Sequence, residues 1–204
     1  MIAVLDYGIG NLRSAEKALQ YLGADARLVD DPDRADEADG VVLPGVGAFG
    51  RCAEALRSSG LDRSARRAVE SDVPFLGICV GFQLLYQGSE ESPSEPGLGI
   101  LDGVVRRLPA GVKHPQMQWN RLELTGPGTG LLDQVPEPTW VYFVHSYAPE
   151  PTGATTSVCR YGGAVTASAE QGRVWGTQFH PEKSGAVGLG ILANFVRTVH
   201  DATP

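Results

Sequence analysis

Short apolar runs alternate with longer amphipathic stretches through the first part of the chain. "IAVLDY" reads as a buried strand, and "NLRSAEKALQYLG" after it as a helix. In that stretch Leu12, Ala15, Leu19 and Leu22 fall on one helical face, and Gly23 is placed to end it. "ARLV" and "GVVLPG" read as the second and third strands. "AFGRCAEALRSSG" and "LDRSARRAVES" read as helices, and "PFLGIC" as the fourth strand. Strands apolar throughout, alternating with helices, predict a parallel sheet covered on both faces.

The pattern changes in the second part. "GVVRRL", "RLELT", "TWVYFVHSYA", "TTSVCRY", "AVTASAE" and "RVWGTQFH" are strand-like, with turn signals such as "TGPGTG" and "YGG" between them. Antiparallel pairs and hairpins are expected here. "GLGILANFVRTVH" predicts a closing helix, and "SEESPSEPG" a polar, acidic surface loop. No stretch has the composition of a linker, and no repeat is visible, so a single domain over residues 1–204 is expected.

Composition narrows the function. The 204 residues are 42% hydrophobic and 20% charged, which suits a globular chain with a real core. A net charge of -7 argues against non-specific nucleic-acid binding, which needs a basic face. No apolar run approaches the ~20 residues of a membrane span. "MIAVLDYG" lacks the basic start of a signal peptide. The three cysteines, Cys52, Cys79 and Cys159, are too few and scattered for a disulfide framework, and nothing has zinc-ligand spacing. A reduced, cytoplasmic protein without metal or cofactor is expected.

One cysteine stands out. In "VPFLGICVGFQLLYQG", Cys79 lies where a strand hands over to a second apolar run, with Gly77 and Gly81 two residues to either side. A tight strand-turn-helix corner exposes its central residue at the sheet rim and needs small neighbours, which is the logic of a nucleophile elbow. A helix starting near Val80 would aim its amide dipoles at the sulfur and favour thiolate. The alternative is a buried structural cysteine, the reading adopted for Cys52 and Cys159.

A cysteine nucleophile needs a base. His200 lies near the C-terminus and His114 in a loop, which leaves His145 and His180. His180 ends a strand, and Pro181 biases it toward extended backbone. In an extended chain positions i and i+2 point the same way, which sets Glu182 beside His180 to fix its tautomer. His145 has Phe143 and Tyr147 at those positions, so His180 is preferred. "LPGVGAFG" follows a strand, precedes a helix and exposes backbone amides, as an oxyanion site requires; Val80 N–H is the natural second donor. "YGIGN", with Asp30 and Asp31 about twenty residues on, invites a dinucleotide reading, but Arg13 stands where the third glycine belongs.

Together these residues resemble a known family. "GICVGFQLL", "LPGVGAFG", "YFVHSYA" and "GTQFHPEKSG" occur in this order in triad (class I) glutamine amidotransferases. "YGIGNLRS", "GLGILDG", "QMQWN" and "SGAVGLGILANF" narrow the likeness to the amidotransferase subunits of imidazole glycerol phosphate synthases. The resemblance runs end to end and implies a flavodoxin-like α/β fold. It implies attack of Cys79 on the side-chain amide of glutamine, with His180 and Glu182 completing the triad. Gly45, Val46 and Gly47 match the oxyanion strand, and Gln83, Ser146 and Tyr147 match substrate-holding positions. It also implies a partner, a (β/α)8-barrel cyclase subunit that receives the ammonia, with Asn11, Trp119, Tyr142 and Lys183 at or near that interface. Two stretches depart from the family: "PQMQWN" stands for the usual "PHMGWN", and Val80 and Phe82 replace Leu and Met around the elbow glycine. A paralogue serving another synthase and a stand-alone thiol hydrolase of γ-glutamyl substrates are the competing readings.

Overall fold

The computed structural model describes residues 1–126 and 130–202. The chain begins β1 (Ile2–Leu5), α1 (Leu12–Tyr21), β2 (Ala26–Val29), α2 (Pro32–Asp36), β3 (Gly40–Gly45), α3 (Phe49–Ser58), α4 (Leu61–Glu70) and β4 (Phe75–Cys79). It continues with α5 (Val80–Gln83), β5 (Gly88–Ser89), β6 (Val104–Arg107), β7 (Gln116–Arg121), β8 (Glu123–Leu124), β9 (Trp140–His145) and β10 (Tyr147–Pro149). It ends β11 (Thr155–Arg160), β12 (Ala164–Gln171), β13 (Val174–Thr177) and α6 (Gly185–Ala202), with 3-10 turns at Gly130–Leu132 and Pro181–Lys183.

The large sheet has the order β2-β1-β3-β4-β13-β12-β11-β8. Its first five strands are parallel, and β12, β11 and β8 extend it antiparallel. Helices α1 and α6 pack together, as do α2, α3 and α4. Right-handed crossovers set these two groups on opposite faces. The parallel strands are apolar throughout because both faces are covered: β1, β3 and β4 are buried along their whole length. Helix α1 buries the predicted Leu12, Ala15 and Leu19, each leucine stabilising by roughly 1.5–3 kcal/mol. Gly23 follows its end at φ 85°.

Several sequence expectations change in detail. Helix α2 went unpredicted because it is only five residues long; the Asp31 side chain caps it by accepting from Asp33 N at 2.8 Å. That role removes Asp31 from the dinucleotide reading. "QMQWN" is the strand β7, paired antiparallel with β9 from Gln116↔His145 to Arg121↔Trp140. "TWVYFVHSYA" breaks at Ser146 into two strands that join different sheets. "RLELT" likewise divides between β7 and β8. Of the "TGPGTG" turn, residues 127–129 lie outside the described residues. Among the described residues no helix is long and apolar enough to cross a membrane.

Candidate active site

Sheet order builds the site. Strands β3, β4 and β13 are neighbours and parallel, so their carboxyl ends share one rim. Gly45 is the register partner of Cys79, and Thr177 that of Ile78. The oxyanion segment, the candidate nucleophile and the chain leading to His180 therefore emerge side by side. They line a pocket of about 260 Å³ to which Val46, Gly47, Cys79, Val80, Gln83 and His180 contribute. Val144, His145, Ser146 and Tyr147 close it from the β9–β10 side, with Glu91 and Pro115.

Cys79 has φ 56° and ψ -112°, outside the regions that L residues populate comfortably. Such strain persists only where the surroundings enforce it. Here α5 turns back so tightly that a Cβ on Gly81 would lie 1.8 Å from the Leu43 carbonyl oxygen. The expected elbow is present, but the helix beyond it is a single turn, so its dipole is smaller than the sequence reading assumed. The first residue of that turn, Val80, has an amide without an intrahelical acceptor, as at any helix start.

His180 leaves β13 in extended backbone, φ -99° and ψ 96°, as Pro181 demands. Its Nδ1 donates to Glu182 Oε1 at 2.8 Å, and both side chains are all but inaccessible. The pairing agrees with the sequence reading, though for a different reason. Pro181–Lys183 forms a 3-10 turn, which brings Glu182 back beneath the ring in place of the extended i+2 geometry. Ser184 locks that turn by donating to His180 O at 2.7 Å and accepting from Tyr142 N at 3.0 Å. With Nδ1 committed, Nε2 is buried without a hydrogen-bond partner among the described residues. Burial pulls the His180 pKa down, but the attraction of the neighbouring Cys79 and Glu182 outweighs it and raises it to about 10.

His145, not favoured from sequence as the base, lines the same pocket. Its Nδ1 donates to Tyr147 O at 2.8 Å, and Nε2 has no hydrogen-bond partner among the described residues. Burial pushes its pKa down to about 4, with His180 adding to the effect against the Tyr147 bond. The two histidines thus titrate in opposite directions, and only His180 holds a carboxylate.

The substrate-side residues are ordered around Gln83. Its amide nitrogen donates to Tyr147 O at 2.9 Å and to Gln178 Oε1 at 3.0 Å. Gln178, fully buried, approaches Cys79 Sγ through Nε2 at 3.8 Å. Sequence reasoning missed Gln178, although a polar residue inside "GTQFH" was a visible signal. It also missed Glu91, placed in a surface loop from its acidic neighbourhood. Glu91 reaches the pocket and accepts from Phe49 N at 2.8 Å, bracing the start of α3.

The four interface candidates lie outside the pocket lining. Trp119 and Tyr142 face each other across β7 and β9, ring centroids 6.2 Å apart. Lys183 is exposed on the turn after His180, and Asn11 starts α1, accepting from the Ser14 hydroxyl at 2.9 Å. Met117, Trp119 and Trp140 are 62%, 49% and 48% exposed on one face of the β7–β9 ribbon. Gln116 and Gln118 alternate onto the other face, Gln116 fully buried near Cys159. His114 sits apart, with Nε2 3.2 Å from Pro109 O.

Comparison with known proteins agrees with this geometry. Residues 3–199 match the family described as glutamine amidotransferase class-I. The chain is 46% identical to "Imidazole glycerol phosphate synthase subunit HisH" of Synechococcus sp. (strain JA-3-3Ab), over 100% of this chain and 96% of that one. It is 45% identical to the protein of the same name from Moorella thermoacetica, over 98% and 96%. Among solved structures, "Crystal structure of glutamine amidotransferase" superposes with a TM-score of 0.77 at 23% identity, covering 98% of both chains. "Structure of PurLQS from Thermotoga maritima" does so at 0.77 and 22%, covering 97% of both. These two show a shared fold, while the matches in sequence show kinship: the chain belongs to the class-I glutamine amidotransferase family.

Proposed function

We propose that the whole chain acts as one unit, the glutamine-hydrolysing subunit of a cytoplasmic imidazole glycerol phosphate synthase in histidine biosynthesis. The observation that carries the reading is the convergence of a strained thiol, a carboxylate-held imidazole and an exposed-amide segment on one pocket. End-to-end kinship with relatives of that name supports the choice of synthase.

In this mechanism Nε2 of His180, whose Nδ1 is held by Glu182, takes the Cys79 thiol proton as the sulfur attacks. Sulfur attacks the side-chain carboxamide carbon of glutamine, and the oxygen takes up the negative charge. Backbone N–H groups of Gly47 and Val80 are the donors that meet it. His180 passes its proton to the nitrogen, ammonia departs, and a γ-glutamyl thioester remains. Water then attacks the thioester, giving its proton to His180, and glutamate leaves. Glu182 keeps the imidazole in one tautomer and stabilises its cation. Glu91 supplies a carboxylate in the pocket for the substrate's α-ammonium, and Gln83 holds the Tyr147 backbone that borders it.

Ammonia in water near neutral pH is mostly protonated and no longer nucleophilic, so direct transfer to a docked cyclase has a clear advantage. The exposed Met117–Trp119–Trp140 face offers the docking area, and Val144, on the same face, also lines the pocket. Neither glutamine of "PQMQWN" lies on that face, so the departure leaves the proposed contact surface intact.

The test is co-purification with a (β/α)8-barrel cyclase subunit. Cys79→Ala is expected to lower glutamine-dependent synthesis by at least about 10³-fold, while ammonia-dependent synthesis persists. A mutant complex still driven by glutamine would sink the assignment. Full glutaminase activity of the lone chain, indifferent to the cyclase, would favour a stand-alone thiol hydrolase.

A further inference from the structure

Two buried side chains remote in sequence grip carbonyls of the oxyanion segment. Tyr7, just past β1, donates its hydroxyl to Pro44 O at 2.7 Å. Cys52, on α3, donates its thiol to Val46 O at 3.3 Å. Both are buried, Cys52 completely. Burial raises the pKa of each, so both remain protonated donors at working pH. The two lie within electrostatic reach of each other. Neither has a part in the mechanism above.

Peptide geometry turns these contacts into a statement about the amides. A trans peptide is planar, with its N–H opposed to its C=O. Holding Pro44 O toward Tyr7 directs Gly45 N–H the other way. Strand β3 lies between β1 and β4, so that way leads toward β4, where Cys79 is the partner of Gly45. Holding Val46 O toward Cys52 likewise directs Gly47 N–H away from Cys52. Gly47 lines the pocket. The fit at Tyr7 is close: a Cβ on Gly45 would lie 2.8 Å from the Tyr7 hydroxyl and 2.7 Å from Gly81 N. Beyond the segment, Glu91 and Ser92 accept from Phe49 N and Gly50 N at 2.8 and 3.2 Å, which fixes its far end.

We propose that Tyr7 and Cys52 are positioning residues that clamp the Pro44 and Val46 carbonyls and so keep the Gly47 N–H turned into the Cys79 pocket. This deepens the reading of Cys79 as nucleophile and rests on it. A released Val46 peptide is free to rotate and to present carbonyl lone pairs where an N–H is needed. Such a reversal matters little to bound glutamine and greatly to the anionic intermediate.

The experiment uses the full chain in complex with its cyclase. Cys52→Ala and Tyr7→Phe are each expected to lower kcat for glutamine hydrolysis roughly tenfold or more with KM nearly unchanged. Cys52→Ser, which keeps a donor, should recover most of the loss. Alkylation of Cys79 by iodoacetamide, followed by peptide mass mapping, is a displacement at saturated carbon that forms no oxyanion. Its rate should stay at the wild-type value in all three variants. Tyr7→Phe keeps the ring and its packing, so it guards against a cysteine variant that does not fold. Unchanged kcat in both Cys52→Ala and Tyr7→Phe overturns the proposal. So does a parallel fall in kcat and alkylation rate, or a serine variant no better than alanine. Failure of the underlying reading is read separately, as glutaminase activity that survives Cys79→Ala.

Discussion

On one wall of the pocket Cys79 stands on a strained corner, φ 56° and ψ -112°, fixed by the close approach of backbone to backbone. On the other wall His180 sits in relaxed extended backbone and is fixed by donating to Glu182 and to Tyr142 O and by accepting from the Ser184 hydroxyl. The first wall depends on missing atoms: Gly81 has no room for a Cβ. The second depends on atoms present and correctly paired. Damage to the two walls should therefore differ in kind. Steric damage behind Cys79 should cost folding and chemistry together at every pH, whereas electrostatic damage behind His180 should cost chemistry and only the stability linked to the His180 proton.

The largest effect is expected from Gly81→Ala. The added methyl falls 1.8 Å from the Leu43 carbonyl oxygen, in backbone of β3 that has little freedom to retreat. A loss of about 4 kcal/mol or more in urea unfolding is expected, within the exceptional class of single substitutions. Iodoacetamide should also lose its selectivity for Cys79, because the corner that presents the thiol is rebuilt. Near-normal stability in this variant would erase the steric half of the contrast.

Glu182→Gln tests the other half. The shape is kept, but the anionic acceptor beneath His180 is lost. A fall in kcat of roughly 10²–10⁴ is expected, from a misplaced tautomer and an unsupported imidazolium. Stability at neutral pH should fall as well, by the part of the His180 proton affinity that Glu182 supplies, but less than in Gly81→Ala. The pH dependence gives a second reading. The His180 pKa is raised to about 10 in the fold, so its stabilisation is complete below the unfolded value near 6.5 and is lost as pH rises toward 10. Without Glu182 the folded pKa falls, and the alkaline decline between these limits should flatten. An unaltered alkaline limb in the variant would show that Glu182 does not hold the proton.

The same contrast explains what could be read from the sequence. The Cys79 wall is local: strand, cysteine and flanking glycines lie within a few residues, and the elbow could be inferred from "GICVG" directly. Strands β1 to β4 and helices α1, α3 and α4 were legible because their apolar periodicity is strong and their connections short. The His180–Glu182 pair was legible for its spacing, although the 3-10 turn that makes it was not. Glu91 was hidden because its loop is acidic and polar, and only the fold shows one of its carboxylates bracing α3. Gln178 reaches the thiol through the β13–β4 pairing, which joins residues about a hundred positions apart, and His145 enters the pocket from a different sheet. Local propensity carries no information about such pairings. Strand β9 was legible in "TWVYFVHSYA", but its partner β7 went unread because one of its faces is exposed and carries Met117 and Trp119, which resembles neither a buried strand nor a polar loop.

The smallest effect at neutral pH should come from His145→Asn, which keeps a donor near the Tyr147 carbonyl and removes the titrating ring. His145 is held neutral by burial, its folded pKa about 4 against about 6.5 unfolded. Below pH 6.5 the unfolded chain binds a proton that the folded chain refuses, so stability falls as pH drops from about 6.5 toward 4. The full difference corresponds to roughly 3 kcal/mol at the acid end. At pH 8 neither state is protonated, and the substitution should change stability by no more than about 1 kcal/mol through the altered hydrogen bond. Urea unfolding at pH 8, 6 and 5 therefore separates the two contributions. The variant should lose less stability than wild type between pH 8 and 5. An equal loss would mean that the ring is already hydrated or partnered at its Nε2. The pocket beside His180 would then be wetter than its geometry implies, and burial would no longer account for the divergence of the two histidines.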